Sequence, residues 1–165
     1  MHYDPIKKTV GGFFNKSPFL RKVFYSLLDL LLLRTWHVHR ELTKWKKDAP
    51  TNPKILDAGF GFGQYTYHMK KKFPTACILG VDVKEDQVSE CNQFFRACGL
   101  ENVLFKVEDL LDFKKPDTFQ LCLCVDVMEH IEDDVKVMTN ICDALEEGGM
   151  LLISTPSDQG GSDVN

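Results

Sequence analysis

No stretch of this chain offers the roughly 18 uninterrupted apolar residues that a membrane-spanning helix requires. The most apolar segment, Phe19 to Leu33, is broken by Arg21, Lys22 and Asp29. The opening residues include Asp4, Lys7 and Lys8 and lack a continuous apolar core, so no secretory signal is expected. Among the cysteines (Cys77, Cys91, Cys98, Cys122, Cys124 and Cys142) there is no C-x-x-C pair and no zinc spacing. Most of them fall in apolar stretches, where free cysteine behaves as a small hydrophobe, and reduced thiols of a cytoplasmic protein are expected rather than disulfides. His2, His37, His39, His68 and His130 show no ligand-spaced cluster with carboxylates, and His37 and His39, two apart in a helical region, face different ways. No metal site is expected. Internal repeats and low-complexity segments are also missing.

What is present suits a single soluble domain: 165 residues of ordinary globular composition with net charge −4. That mean hides an asymmetry. Residues 1–50 carry ten Lys or Arg against four Asp or Glu, and the rest carries ten against twenty. A basic leader on an acidic body implies packing between the two, or a leader facing an anionic surface.

Residues 1–16 read as irregular. Ser17-Pro18 is a strong helix start, serine as N-cap and proline at the first helical position. A helical pattern with one break runs on to about Lys47, and Pro50 and Pro53 end it. Leu20, Val23, Phe24, Leu27, Leu28, Leu31 and Leu32 recur at three- and four-residue steps and define an apolar face. Beyond Pro53 short apolar strands alternate with helices. Strands are expected at Lys54–Ala58, Ala76–Asp82, Val103–Val107, Phe119–Val125 and Met150–Thr155, and helices at about Gln64–Phe73, Glu85–Cys98 and Asp133–Leu145. Gly99 and Gly148-Gly149 stand where a glycine is wanted past a helix end. The alternation predicts an α/β, doubly wound, mostly parallel sheet covered on both faces. Its strand carboxyl ends share one edge, where ligands bind.

The densest signal is Ile55-Leu56-Asp57-Ala58-Gly59-Phe60-Gly61-Phe62-Gly63. An apolar strand runs into a carboxylate and then a turn with glycine at every second position, where a backbone can approach a ligand closely. A dinucleotide fingerprint would need glycine at position 64, which is Gln64. It would also set a pyrophosphate beside Asp57, a repulsion of about 4 kcal/mol per charge pair at about 4 Å and intermediate dielectric. A ligand with cationic ammonium and sulfonium groups is attracted instead, and its carboxylate can sit on the free amides of the next helix. The segment resembles the acidic-x-Gly-x-Gly-x-Gly first motif of class I S-adenosylmethionine-dependent methyltransferases.

Further residues extend the resemblance. Gly80-Val81-Asp82-Val83 is similar to the second motif of that family; Asp82, nineteen residues past Gly63, is then expected to accept from both ribose hydroxyls. Val83 and Gln87 fall where the family lays side chains along the adenine. Glu108-Asp109-Leu110 follows the third strand, where an acidic residue accepts from the adenine amino group, although Asp109 also suits a cap on the turn around Leu110. The run Cys122-Leu123-Cys124-Val125-Asp126-Val127-Met128-Glu129-His130 resembles the fourth-strand motif of the quinone-biosynthesis-like, type 11 branch. The resemblance implies that the backbone at Cys124 and Val125 passes the methionine part of the cofactor. It also implies that Asp126 and His130 face the substrate, with His130 as candidate catalytic base. The set implied to hold the cofactor is therefore Asp57, Gly59, Phe60, Gly61, Gly63, Asp82, Val83, Gln87, Asp109, Leu110, Cys124 and Val125.

The division implied is an N-terminal helical extension or lid (1–50), an S-adenosylmethionine-binding core (51–157) and a polar, flexible tail (158–165). Family members continue past the fifth strand with a helix and a final antiparallel hairpin, so a truncated chain is expected. The expected activity is methyl transfer from S-adenosylmethionine to a small, lipophilic acceptor. The alternatives are a non-catalytic cofactor-binding or scaffold module and a dinucleotide-dependent oxidoreductase. For the N-terminal helices the readings are packing on the core, a lid over the acceptor, and peripheral contact with an anionic membrane through Arg34, Arg40, Lys44, Lys46 and Lys47. Nucleic acid is not an expected partner, because the body is acidic and carries no recognised module.

Overall fold

The computed structural model describes residues 17–155. The irregular leader 1–16 and the tail 158–165 lie outside the described residues. Ser17 accepts from the backbone amide of Leu20 at 3.2 Å and Pro18 opens helix α1 (Pro18–Leu31), as the cap reading requires. The expected break falls at Leu32, whose extended backbone separates α1 from α2 (Leu33–Trp45).

The apolar stripe of α1 does not decide which face is buried. The residues turned into the protein are Arg21 and Tyr25, with Phe24 and Leu28 half-buried, while Phe19, Val23, Leu27, Leu30 and Leu31 are exposed. The reason is a partner rather than a propensity: Arg21 finds backbone carbonyls to bond beneath it, as described below.

Five parallel strands follow: β1 (Lys54–Ala58), β2 (Cys77–Asp82), β3 (Val103–Val107), β4 (Phe119–Val125) and β5 (Leu145–Ser154). They stand in the order β3-β2-β1-β4-β5. Ile55 is level with Ile78 on one side and Leu121 on the other. Helices α3 (Gln64–Lys72), α4 (Glu85–Ala97) and α5 (Asp134–Ala144) make the crossovers, and a 3₁₀ turn covers Met128–His130. Chain reversal between β1 and β4 puts a crevice at the carboxyl ends of those strands, the usual ligand position in open α/β sheets.

Strand alternation sorts the core. Leu56, Ala58, Cys122 and Cys124 face Val137 and Ile141 of α5. Ile55, Leu121 and Leu123 face Val38 and Leu42 of α2 and Met69 of α3. A third cluster, of Tyr25, Phe60, Val88, Phe94, Phe95 and Phe105, lies under α4.

One helix end differs from expectation. Gly99, with φ of 65°, follows α4 as a C-terminal glycine should. Gly148-Gly149 does not cap α5, which stops at Ala144 with Leu145 already extended. Strand β5 therefore starts five residues before Met150, and its register against β4 shifts between Phe119 and Leu121. Gly148, at φ of 78°, takes up that irregularity.

Candidate active site at the carboxyl edge of the sheet

The glycine turn leaves β1 at Gly59, whose amide donates to the carbonyl of Val81 at 2.8 Å. Gly59, Gly61 and Gly63 all have positive φ (72°, 54° and 76°), which L side chains adopt only at a cost. Their surroundings differ. A Cβ on Gly59 would lie 2.3 Å from Val127 Cγ2, and one on Gly63 would lie 3.1 Å from Cys91 Sγ. A Cβ on Gly61 would meet nothing within 4 Å. Gly59 and Gly63 are thus glycine for packing, whereas Gly61 fronts open space, as a ligand-facing backbone should. Between them Phe60 turns its ring into the core against Phe105, centroids 4.5 Å apart. Of the residues assigned to the cofactor, Phe60 therefore has only its backbone to offer.

Asp82 closes β2 and reaches back to this turn. Its Oδ2 accepts from the amide of Gly61 at 3.2 Å and its Oδ1 from the amide of Lys84 at 3.1 Å. One carboxylate thus braces both the glycine turn and the segment that enters the next helix. Val83 is exposed, and Gln87 is buried with its Oε1 lacking a hydrogen-bond partner. A buried acceptor left over beside such a turn fits a site that receives a donor from a ligand.

Asp57 is placed differently from the expectation. It shares the β1 face of Ile55, so its carboxyl points beneath the first turn of α3, where Thr66 Oγ1 donates to it. Burial pushes its pKa up to about 7, against the opposing hydrogen bond of Thr66 and with help from the charge of Asp82. Asp57 is a buried group poised near neutrality, and a nearby cation would favour its ionised form.

Asp109 is exposed and its Oδ1 accepts from Leu111 at 2.9 Å, so the contact present is the turn-capping one. Leu110 is buried in the core cluster with Phe113 and Cys122. Cys124 and Val125 are likewise buried, and burial pushes the Cys124 thiol up to about 12, which removes it as a nucleophile. His130 is exposed on the 3₁₀ turn.

Three contacts of this region carried no clear sequence signal. Asp126, at φ of 54°, pairs with Arg34 of α2 at 2.7 Å, so the N-terminal helices reach the end of β4. Tyr65 lies beneath them, its hydroxyl 3.3 Å from Thr35 Oγ1. Arg21 of α1 donates to the carbonyls of Phe62 at 2.8 Å and Glu90 at 3.3 Å and lies 4.8 Å over the ring of Phe94. In the sequence it reads as a charge interrupting an apolar face; nothing local says that it fastens the turn.

A family model described as a methyltransferase domain matches residues 51–162. The chain belongs to the methyltransferase family. S-adenosylmethionine is the methyl donor that this membership implies, and the open face at Gly61 and the orphaned Gln87 Oε1 fit such a group. Among curated relatives, ajmaline N-methyltransferase of Rauvolfia serpentina is 33% identical over 109 residues, 64% of this chain and 37% of its own. A ubiquinone biosynthesis O-methyltransferase of Idiomarina loihiensis is 27% identical, covering 66% of this chain and 44% of its own. This methyltransferase-family chain thus spans less than half the length of either relative. Among solved structures, coclaurine N-methyltransferase bound to N-methylheliamine and SAH superposes with a TM-score of 0.61 at 22% identity, covering 69% of this chain and 33% of that one. The [4+2]-cyclase SpnF superposes with a TM-score of 0.65 at 19% identity, covering 72% and 44%. These two likenesses establish the fold. Named methyltransferase relatives give no support to a dinucleotide oxidoreductase.

Proposed function

We propose that the chain forms the cofactor-binding core of an S-adenosylmethionine-dependent methyltransferase acting on a small, partly apolar acceptor. The observation that carries the reading is the pairing of an open, left-handed Gly61 with the carboxylate of Asp82 at the carboxyl edge of the sheet. In this reading the turn Gly59–Gly63 and Asp82 hold the cofactor, with Val83 and Gln87 beside its adenine and Asp109 next to it. The backbone at Cys124 and Val125 lies along its methionine part, and Leu110 supports the floor from the core side. Bound S-adenosylmethionine supplies a methyl group on a sulfonium that is already a good leaving group, so the protein's contribution is alignment and exclusion of water.

Asp57 answers the positive charge of the donor from below the turn. Arg34 and Asp126 position α2 at the end of β4, and Tyr65 stands behind them, so the acceptor is bounded by the N-terminal helices. His130 is the candidate to accept a proton from the acceptor's nucleophile. The exposed row Leu30, Leu31, Leu33 and Trp36 supports an acceptor with apolar character. Together with the basic residues Arg34, Arg40, Lys44, Lys46 and Lys47 of the same N-terminal segment, that row is also the candidate surface for peripheral membrane contact. Among the described residues no helix is long and apolar enough to cross a membrane. An acceptor assay with and without anionic vesicles separates the two uses.

The reading is tested by titration calorimetry of the chain with S-adenosylmethionine and S-adenosylhomocysteine. Binding is expected, and Asp82→Ala should weaken it by about 1.5–3 kcal/mol, the range for hydrogen bonds to a charged group. No binding by a folded chain rejects the proposal.

A further inference from the structure

Away from the sheet edge, side chains from three helices converge. Asp29 of α1, His39 of α2 and His68 of α3 each present one ligand-capable atom, and these atoms all lie within 4.8 Å of one another. The two imidazoles are stacked, ring centroids 3.3 Å apart and planes 10° from parallel. Asp29 Oδ1 is 3.8 Å from His39 Nε2. Both Nε2 atoms are buried, and neither has a hydrogen-bond partner. The expectation of no histidine–carboxylate cluster is thereby corrected: positions 29, 39 and 68 are too far apart in the chain for any spacing rule to join them.

Two polar nitrogens sealed side by side next to a carboxylate are unfavourable unless something satisfies them together. Water can bond to each atom separately; a cation engages the whole set. Imidazole nitrogen with one carboxylate oxygen is a donor set suited to zinc and similar borderline ions. Three protein ligands leave a fourth position for water, and a cavity of about 250 Å³ opens alongside, lined by Asp29, Gln64 and His68 and also by the ammonium-bearing Lys22 and Lys71. Zinc–nitrogen bonds of about 2.0–2.1 Å set tetrahedral edges of about 3.3 Å, so the three ligands must close in and the rings tilt to aim their in-plane lone pairs. Asp29 can bind an ion while keeping its present bond, because Oδ1 accepts from Gln64 Nε2 at 2.6 Å and a carboxylate has two oxygens. Lys72, a like charge acting on both imidazoles, is held on Thr43 Oγ1 at 2.8 Å.

We propose that Asp29, His39 and His68 form a binding site for a divalent transition-metal ion of the zinc class, with one position open to water. The ion ties α1 and α2 to the middle of α3, the helix that follows the glycine turn. Its role is to secure the helical cover, and it is independent of the methyl-transfer reading.

The test is titration of the chelator-stripped chain with Zn²⁺ and with Co²⁺ as a visible probe. One equivalent is expected to bind, with cobalt bands lacking thiolate charge transfer, since Cys77 and Cys142 are the exposed thiols a stray ion would choose. His39→Asn and His68→Asn should each lose more affinity than the roughly 10–100-fold that removal of an outer partner costs. His37→Asn, outside the cluster, should lose none. If a variant does not fold, imidazole proton resonances of the unaltered chain decide: Zn²⁺ should shift those of His39 and His68 and leave those of His37 and His130. Thiolate charge transfer, unchanged binding in both variants, shifts at other histidines, or no binding would each overturn the proposal.

Discussion

Arg21 Nη2 donates to the carbonyl oxygen of Phe62 at 2.8 Å, fastening the N-terminal helix to the middle of the glycine turn. Phe62 stands between Gly61 and Gly63, so the charge of α1 stiffens the segment that carries the proposed cofactor contacts. Arg21→Met keeps the stem and removes the fork, and should cost about 1.5–3 kcal/mol because two part-buried carbonyls lose a charged donor, although Phe62 keeps the hydroxyl of Tyr25. Arg21→Lys should recover little, since one ammonium cannot serve Phe62, Glu90 and Tyr25 as the planar fork does. Urea unfolding measures both. A loss below about 0.5 kcal/mol, the size of ordinary surface changes, would show the contact to be incidental.

Gly59 and Gly61 should separate packing from ligand approach. Gly61→Ala is strained by its positive φ alone, about 1–2 kcal/mol, yet adds a methyl group to open space. It should weaken cofactor binding more than it weakens the fold. Gly59→Ala adds a clash with Val127 to the same strain and should be the more destabilising of the two. Combining it with Val127→Ala should return part of the loss, which a double-mutant cycle in thermal unfolding reads directly.

Much of the framework was legible because local signals agreed with one another. Ser17-Pro18, Gly99 and the alternation of short apolar runs each placed an element within a residue or two of its position. Strand β5 was misread at its start because Gly148-Gly149 satisfies both a helix stop and a strand irregularity, and only pairing with β4 decides between them. In the site, the positions of Asp82 at the end of β2 and of the glycines after β1 were readable, since strand ends and left-handed turns are set by backbone shape. The burial of Asp57 was not: β1 is central and covered on both faces, so Ile55 through Ala58 are all buried and no alternation marks the inward side. Phe60, Arg21 and the grouping of Asp29 with His39 and His68 depend on tertiary neighbours that no spacing reveals.

Asp57 also makes a pH prediction. Burial raises its folded-state pKa from 3.8 to about 7, so between these values the folded chain holds a proton that the unfolded chain has released. Stability from this group is therefore greatest below the lower value, declines as pH rises through the window, and is level above about 7. A cationic ligand prefers the ionised carboxylate, so S-adenosylmethionine should bind more tightly as pH rises towards 7 and should release a proton when it binds at pH 6. Calorimetry in two buffers of different ionisation enthalpy detects that proton. Asp57→Asn should abolish both the release and this part of the stability slope; a variant that still releases it would assign the proton elsewhere.

The Arg34–Asp126 pair should matter to the acceptor more than to the fold. Arg34 is 43% exposed and Asp126 28%, so water screens the pair and its contribution to stability should stay at or below about 1 kcal/mol. Its geometric consequence is larger, because it fixes where α2 meets the end of β4. In a chain with measurable turnover, Arg34→Ala should raise the acceptor KM several-fold and leave cofactor affinity within a factor of about two, the size of a surface change of about 0.5 kcal/mol. Asp126→Asn keeps a side chain tolerant of the left-handed backbone and should reproduce that effect, whereas Asp126→Val, at φ of 54°, should also destabilise the fold. Equal losses of cofactor and acceptor binding in Arg34→Ala would place this pair in the general architecture of the crevice, with no particular relation to the acceptor.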